Sequence, residues 1–131
     1  MRVKQRTVSV MATTTMLLGA VGAAAPAAIA KGGDATIKTG SCSGTADWKL
    51  KAKHDNGRIE VEFEVDSNRV GQTWHVRLKD NGDRFFRGAR VTKAPSGSFT
   101  VRRNTDNRVG SDRIVGRAVH GDQVCRGVVT V

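Results

Sequence analysis

From Ala46 onward, apolar and polar residues alternate with a period of two, and turn-forming residues recur every eight to twelve positions. A period of two sends successive side chains to opposite faces of a strand, and turns at that spacing mark an all-β sandwich or barrel. No stretch beyond residue 30 sustains a helical period.

The first hairpin is the clearest. Ala46, Trp48, Leu50 and Ala52 alternate with Asp47, Lys49, Lys51 and Lys53; Ile59, Val61, Phe63 and Val65 alternate with Arg58, Glu60, Glu62 and Glu64. Asn56-Gly57 lies between them, and Asn-Gly is the preferred two-residue type I′ turn, in which both positions need positive φ. That turn predicts Lys53 opposite Glu60, Lys51 opposite Glu62 and Lys49 opposite Glu64 on one face. On the other it predicts Ala52 opposite Val61, Leu50 opposite Phe63 and Trp48 opposite Val65. Moving the turn back by one residue would oppose Lys53 to Arg58 and Asp47 to Glu64. Each cross-strand pair is worth a few tenths of a kcal/mol, and several agreeing pairs select the first register. The Lys/Glu array is therefore expected to be structural rather than a ligand site.

The later strands follow the same rule. Trp74, Val76 and Leu78 alternate with His75, Arg77 and Lys79, and a second Asn-Gly, Asn81-Gly82, turns the chain. Arg84 to Thr92 forms the next strand, but Phe85 and Phe86 are adjacent, so its facing is open or it bulges at Gly88. After a turn at Pro95-Ser96-Gly97, three inward sets close the count: Phe99 and Val101, then Ile114, Gly116 and Ala118, then Cys125, Val129 and Val131. Seven strands predict an antiparallel immunoglobulin-like sandwich, ordered first-second-fifth-fourth against third-sixth-seventh. The sequence Asn68-Arg69-Val70-Gly71 recurs as Asn107-Arg108-Val109-Gly110. In this topology both copies are crossovers between sheets at opposite ends of the sandwich, so they read as similar backbone corners rather than paired binding loops.

The N-terminal region has a different pattern. Arg2, Lys4 and Arg6 precede an uncharged stretch from Val8 to Ala25, and Ala28-Ile29-Ala30 supplies small residues where a signal peptidase cuts. This order predicts a secretory signal peptide over residues 1–30, cleaved after Ala30. A retained anchor fits less well, because the run is rich in Ala, Gly and Thr and is interrupted by Pro26. Residues 31–41 read as a flexible leader, with Ala35 to Lys38 a candidate short edge strand, and residues 42–131 as the β-sandwich domain. Export gives the two cysteines a partner: Cys42 and Cys125 are expected to form one disulfide. Two lone cysteines lack the ligand spacing that zinc needs.

The run Ile59-Glu60-Val61-Glu62-Phe63-Glu64-Val65 followed by Gly71 and Trp74, the wide Cys42 to Cys125 pair and the Ala-rich signal together resemble small exported β-sandwich proteins of actinobacteria that have no assigned activity. Trp74 on the third predicted strand also resembles the core Trp of immunoglobulin domains. The cysteines do not stand on the second and sixth strands and the chain has no Tyr, so the resemblance implies architecture and carries over no functional residue.

Charge narrows the function. Of 22 basic residues only three lie in residues 1–30, together with none of the 12 acidic ones, which leaves +7 on the exported domain. Such a domain suits acidic partners. The predicted third, sixth and seventh strands turn His75, Arg77, Lys79, Arg113, Arg117 and Arg126 outward with no acidic residue among them. Arginine forks fit phosphate and carboxylate groups, and sparse aromatic residues disfavour stacking on single-stranded nucleic acid. The chain has no Gly-rich phosphate loop, calcium loop or nucleophile motif. Ser111, Asp112, His120 and Asp122 offer the elements of a hydrolase site only in the sense that any chain of this size would. The expectation is a secreted, monomeric, non-enzymatic binding module without cofactor or metal. Its expected partner is an anionic cell-wall polymer, a polysaccharide or an acidic protein. The alternatives are an inhibitor or antagonist acting through loops 93–97 or 104–110, and a small hydrolase.

Overall fold

The computed structural model describes residues 34–131. The expected signal peptide over 1–30 lies outside the described residues, as do residues 31–33. Eight strands follow in order: β1 (Thr36–Ser41), β2 (Asp47–Asp55), β3 (Arg58–Asp66), β4 (Thr73–Asp80), β5 (Asp83–Val91), β6 (Ser98–Asp106), β7 (Arg113–His120) and β8 (Gln123–Thr130). They form two four-stranded antiparallel sheets, β1-β2-β3-β6 and β5-β4-β7-β8.

The β2-β3 register is the one the Asn-Gly turn predicts. Lys53 pairs with Glu60, Lys51 with Glu62, Lys49 with Glu64, Leu50 with Phe63 and Trp48 with Val65. Asn56 and Gly57 adopt φ of 50° and 77°, as a type I′ turn requires. On the outer face Lys51 meets Glu62 at 3.7 Å and Lys53 meets Glu60 at 3.9 Å, and Arg102 of β6 also pairs with Glu62.

Three expectations need correction. The leader is not wholly flexible: Thr36–Ser41 hydrogen-bond to β2 as an eighth, edge strand longer than the one considered at 35–38. The fourth predicted strand, β5, joins the other sheet. It pairs with β4 rather than β6, because the two-residue Asn81-Gly82 loop is too short to cross between sheets about 10 Å apart. The crossing is made instead by the longer segment from Thr92 to Gly97. The bulge is also displaced. The register slips between Leu78 and Lys79, which makes Phe85 the extra residue, while Gly88 sits regularly opposite Val76. The slip resolves the adjacent Phe85 and Phe86: Phe86 falls opposite buried Leu78, and Arg87 falls opposite outward Arg77.

Between the sheets lie fully buried Leu50, Phe63, Trp74, Leu78 and Ile114. Glycines make room for the largest rings. A Cβ at Gly116 would stand 2.9 Å from the Phe63 ring, and one at Gly127 only 2.4 Å from Trp48. Thr92 joins the crossovers at one end: its hydroxyl accepts from Gln72 N at 2.9 Å and donates to the Arg69 carbonyl.

Cys42, just after β1, is bonded to Cys125 in β8, so the disulfide ties one sheet to the other. Ser43 N donates to Val124 O at 2.9 Å, and Val124 N returns a bond to Ser43 Oγ at 2.9 Å. Closing a loop with a sequence separation of 83 stabilises the folded chain by about 4.5 kcal/mol in the chain-entropy model. The double variant Cys42→Ala, Cys125→Ala is expected to lose about 2–5 kcal/mol in a denaturant titration while keeping its β circular dichroism. A loss well under 1 kcal/mol would mean that the sheets hold together without the bond.

Candidate functional site

The outer face of the β5-β4-β7-β8 sheet is built by alternation. Trp74, Val76 and Leu78 point into the core from β4, which leaves His75, Arg77 and Lys79 exposed on the outside. On β7 and β8, Ile114, Ala118, Cys125 and Val129 point inward, which sends Arg113, Arg117 and Arg126 outward.

Register then decides which of these residues meet. Arg77 pairs with Arg117, and Arg117 with Arg126. On the other side Arg77 pairs with Arg87 of β5. Four arginines, Arg87, Arg77, Arg117 and Arg126, therefore stand side by side across all four strands. With strands about 4.8 Å apart the row spans roughly 14 Å. Lys79 pairs with Arg84 beside it. Among the described residues, none of these six cations forms an ion pair. The one acidic residue of β5, Asp83, is held by Arg108 at 2.8 Å.

Five of the six residues expected on this face, Arg77, Lys79, Arg113, Arg117 and Arg126, line one depression of about 410 Å³, together with Gly82 and Val115. The sixth, His75, lines a neighbouring depression of about 480 Å³ with Arg77 and Arg87. Arg84 and Arg87 were missed by sequence reasoning because β5 was assigned to the other sheet. The Asn81-Gly82 turn carried the signal for Arg84, since the rule that set the first hairpin also pairs Lys79 with Arg84; without the bulge the same rule sets Phe86, not Arg87, opposite Arg77.

Asn81 positions the near wall of the depression that Arg113 lines. Its Oδ1 accepts from Arg113 N at 2.8 Å, and its own N donates to Arg113 O at 2.9 Å. Beneath it lie two fully buried carboxyl groups, Asp80 and Asp112. Asp112 accepts from Arg108 N at 3.2 Å and Asn81 Nδ2 at 3.4 Å, and Asp80 accepts from Thr105 Oγ1 at 3.0 Å. Burial, reinforced by the Asp112 carboxyl beside it, raises the Asp80 pKa against the opposing pull of Thr105.

Among the described residues, Ser111 and Asp112 are not brought to His120. Ser111 and Asp112 precede β7 and His120 ends it, so about 23 Å of strand separates them. His120 is committed to packing: its Nδ1 lies 2.7 Å from the Thr73 carbonyl oxygen and its ring lies 5.3 Å from that of Trp74. Among the described residues, no three His, Cys, Asp or Glu side chains are grouped to hold a metal ion. The two Asn-Arg-Val-Gly copies lie at opposite ends, since Asp66 ends β3 opposite Ser98 while Asp106 ends β6 opposite Arg58.

Comparison with protein-family models, with curated proteins and with solved structures finds no match.

A carboxyl group whose pKa is raised by folding favours the protonated folded state. Its contribution to stability is fully present below the ordinary aspartate value and is lost as pH rises through the folded value. Asp80→Asn keeps an acceptor for Thr105 and removes the buried charge. Its melting temperature is expected to exceed that of the parent at pH 7, with the gap closing toward pH 3. A gap that is absent at pH 7, or that widens on acidification, would contradict this account.

Proposed function

We propose that this protein is an exported, non-enzymatic binding module of immunoglobulin-like design that engages an anionic partner through the outer face of the β5-β4-β7-β8 sheet. The reading is carried by the row Arg87, Arg77, Arg117 and Arg126. Like charges directly opposite each other destabilise a sheet, so a row of three such pairs is not explained by folding. The other sheet provides the contrast, because Lys49, Lys51 and Lys53 face glutamates, and Lys51 and Lys53 form ion pairs with theirs. Solubility alone would not require the cations to be aligned, since scattered surface charge serves it equally well. The partners that fit are an anionic wall polymer, a polysaccharide or an acidic protein, each of which supplies the missing negative charge.

The protein with its disulfide formed is expected to be retained on an anionic matrix and released by salt. The triple variant Arg77→Ser, Arg113→Ser, Arg117→Ser should bind at least about 100-fold more weakly, since charge-assisted hydrogen bonds are worth roughly 1.5–3 kcal/mol each. Its melting temperature should not fall, because cross-strand repulsion is relieved. Retention unaffected by the triple substitution would refute the reading.

A second reading rests on Val109, which is fully exposed at 106% on the β6-β7 loop. A protein antagonist using this loop would capture a partner in high salt and lose it on Val109→Asp while ignoring the arginine substitutions.

A further inference from the structure

The arginine row also carries information about the shape of its ligand. The two depressions on this face share Arg77: one continues to Arg117 and Arg126, the other to Arg87. They therefore form one track running across the strands, perpendicular to the chain direction, with an arginine at each strand. A single small anion would engage two neighbouring arginines and leave the ends of the row unused. A linear chain of anionic groups lying along the track would meet all four.

The chemistry of the track selects among such chains. Guanidinium forks match the paired oxygens of a phosphate diester, and each arginine can present two parallel donors. Alongside the row stand Ala89, His75, Val119 and Val124 on one side, with Arg84, Lys79, Val115 and Val128 on the other. His75 is the one ring among them, so nucleobases would find no run of aromatic faces on which to stack. Ala89, Val115, Val119, Val124 and Val128 instead suit a short aliphatic or sugar spacer between phosphates, and Lys79 and Arg84 add positive charge beside it.

Resting on the anion-binding role proposed above, we infer that the ligand is an extended phosphodiester polymer without bases, bound across β5, β4, β7 and β8 with Arg87 as its fourth contact. This makes Arg87, at the far side of the sheet from Arg126, a specificity residue for polymer over monomer.

The test is calorimetric titration of the purified, oxidised protein with a ten-repeat glycerol phosphate oligomer, glycerol phosphate monomer, poly-glutamate and a ten-residue oligothymidylate. The glycerol phosphate oligomer should bind tightest. Arg87→Ser and Arg126→Ser should each weaken it about tenfold. Each should also lower the slope of log affinity against log salt by roughly 0.7–0.9, the value expected for one lost phosphate contact. The monomer should bind weakly and equally to the parent and to Arg87→Ser. Both residues are exposed, and an unchanged melting temperature will show that each variant is folded. If Arg87→Ser leaves oligomer affinity and slope intact while Arg126→Ser weakens binding, the ligand occupies the depression lined by Arg117 and Arg126 alone. The track is then overturned and the anion-binding role stands. Poly-glutamate or oligothymidylate binding as tightly as the glycerol phosphate oligomer would overturn the base-free phosphodiester assignment. Failure of every polymer to bind the parent protein would overturn the anion-binding role itself.

Discussion

The apolar layer between the two sheets sets everything else in the molecule. Leu50, Phe63, Trp74, Leu78 and Ile114 are withdrawn from water completely. At roughly 1.5–3 kcal/mol for each large side chain, the layer outweighs any single surface contact. Because side chains alternate, a slip of one residue in any strand would move its whole apolar set outward. The core therefore dictates which charges reach which outer surface, and the register within each sheet dictates which of them become neighbours. The arginine row on one side and the Lys/Glu ladder on the other are both products of that constraint.

How far this was readable depended on how cleanly each strand advertised its pattern. β2 alternates from Asp47 to Lys53 and β3 throughout, and they are joined by Asn56-Gly57, so fold, facing and register followed together. The outward placement of Arg77, Arg117 and Arg126 was equally plain, since each is flanked by inward apolar or small residues. β1 was harder. Thr36-Ile37-Lys38-Thr39-Gly40-Ser41 has no alternating apolar face, because an edge strand held largely by backbone bonds to β2 needs none. β5 was misplaced for a different reason: adjacent Phe85 and Phe86 break the period, and the expected topology then overrode the turn chemistry. The lesson is specific to that hairpin. A two-residue loop constrains its flanking strands more strongly than a general architecture does.

The row and the disulfide stand in an instructive relation. Cross-strand repulsion works against the second sheet, and the Cys42–Cys125 bond anchors the outermost strand of that sheet, β8, to the first. A ligand that neutralises the arginines would remove the opposing term, so binding and folding are thermodynamically linked. Any species that binds only the folded state raises its stability by mass action. On the proposed reading, occupying the face would therefore raise the stability of the folded protein.

The bulge at Phe85 has a consequence beyond the placement of Arg87. β5 is the outermost strand of its sheet, and a flat, regular edge of that kind is a template on which other chains add by backbone pairing. The extra residue interrupts that template near its start. Further along, Phe86 is clasped between the Arg90 guanidinium at 5.0 Å and that of Arg103 at 4.8 Å, which sets two charges beside the open side of the sandwich. An approaching strand would meet an irregular, positively charged border. The same extra residue that brings Arg87 into line with Arg77 thereby makes this edge a poor template for backbone pairing.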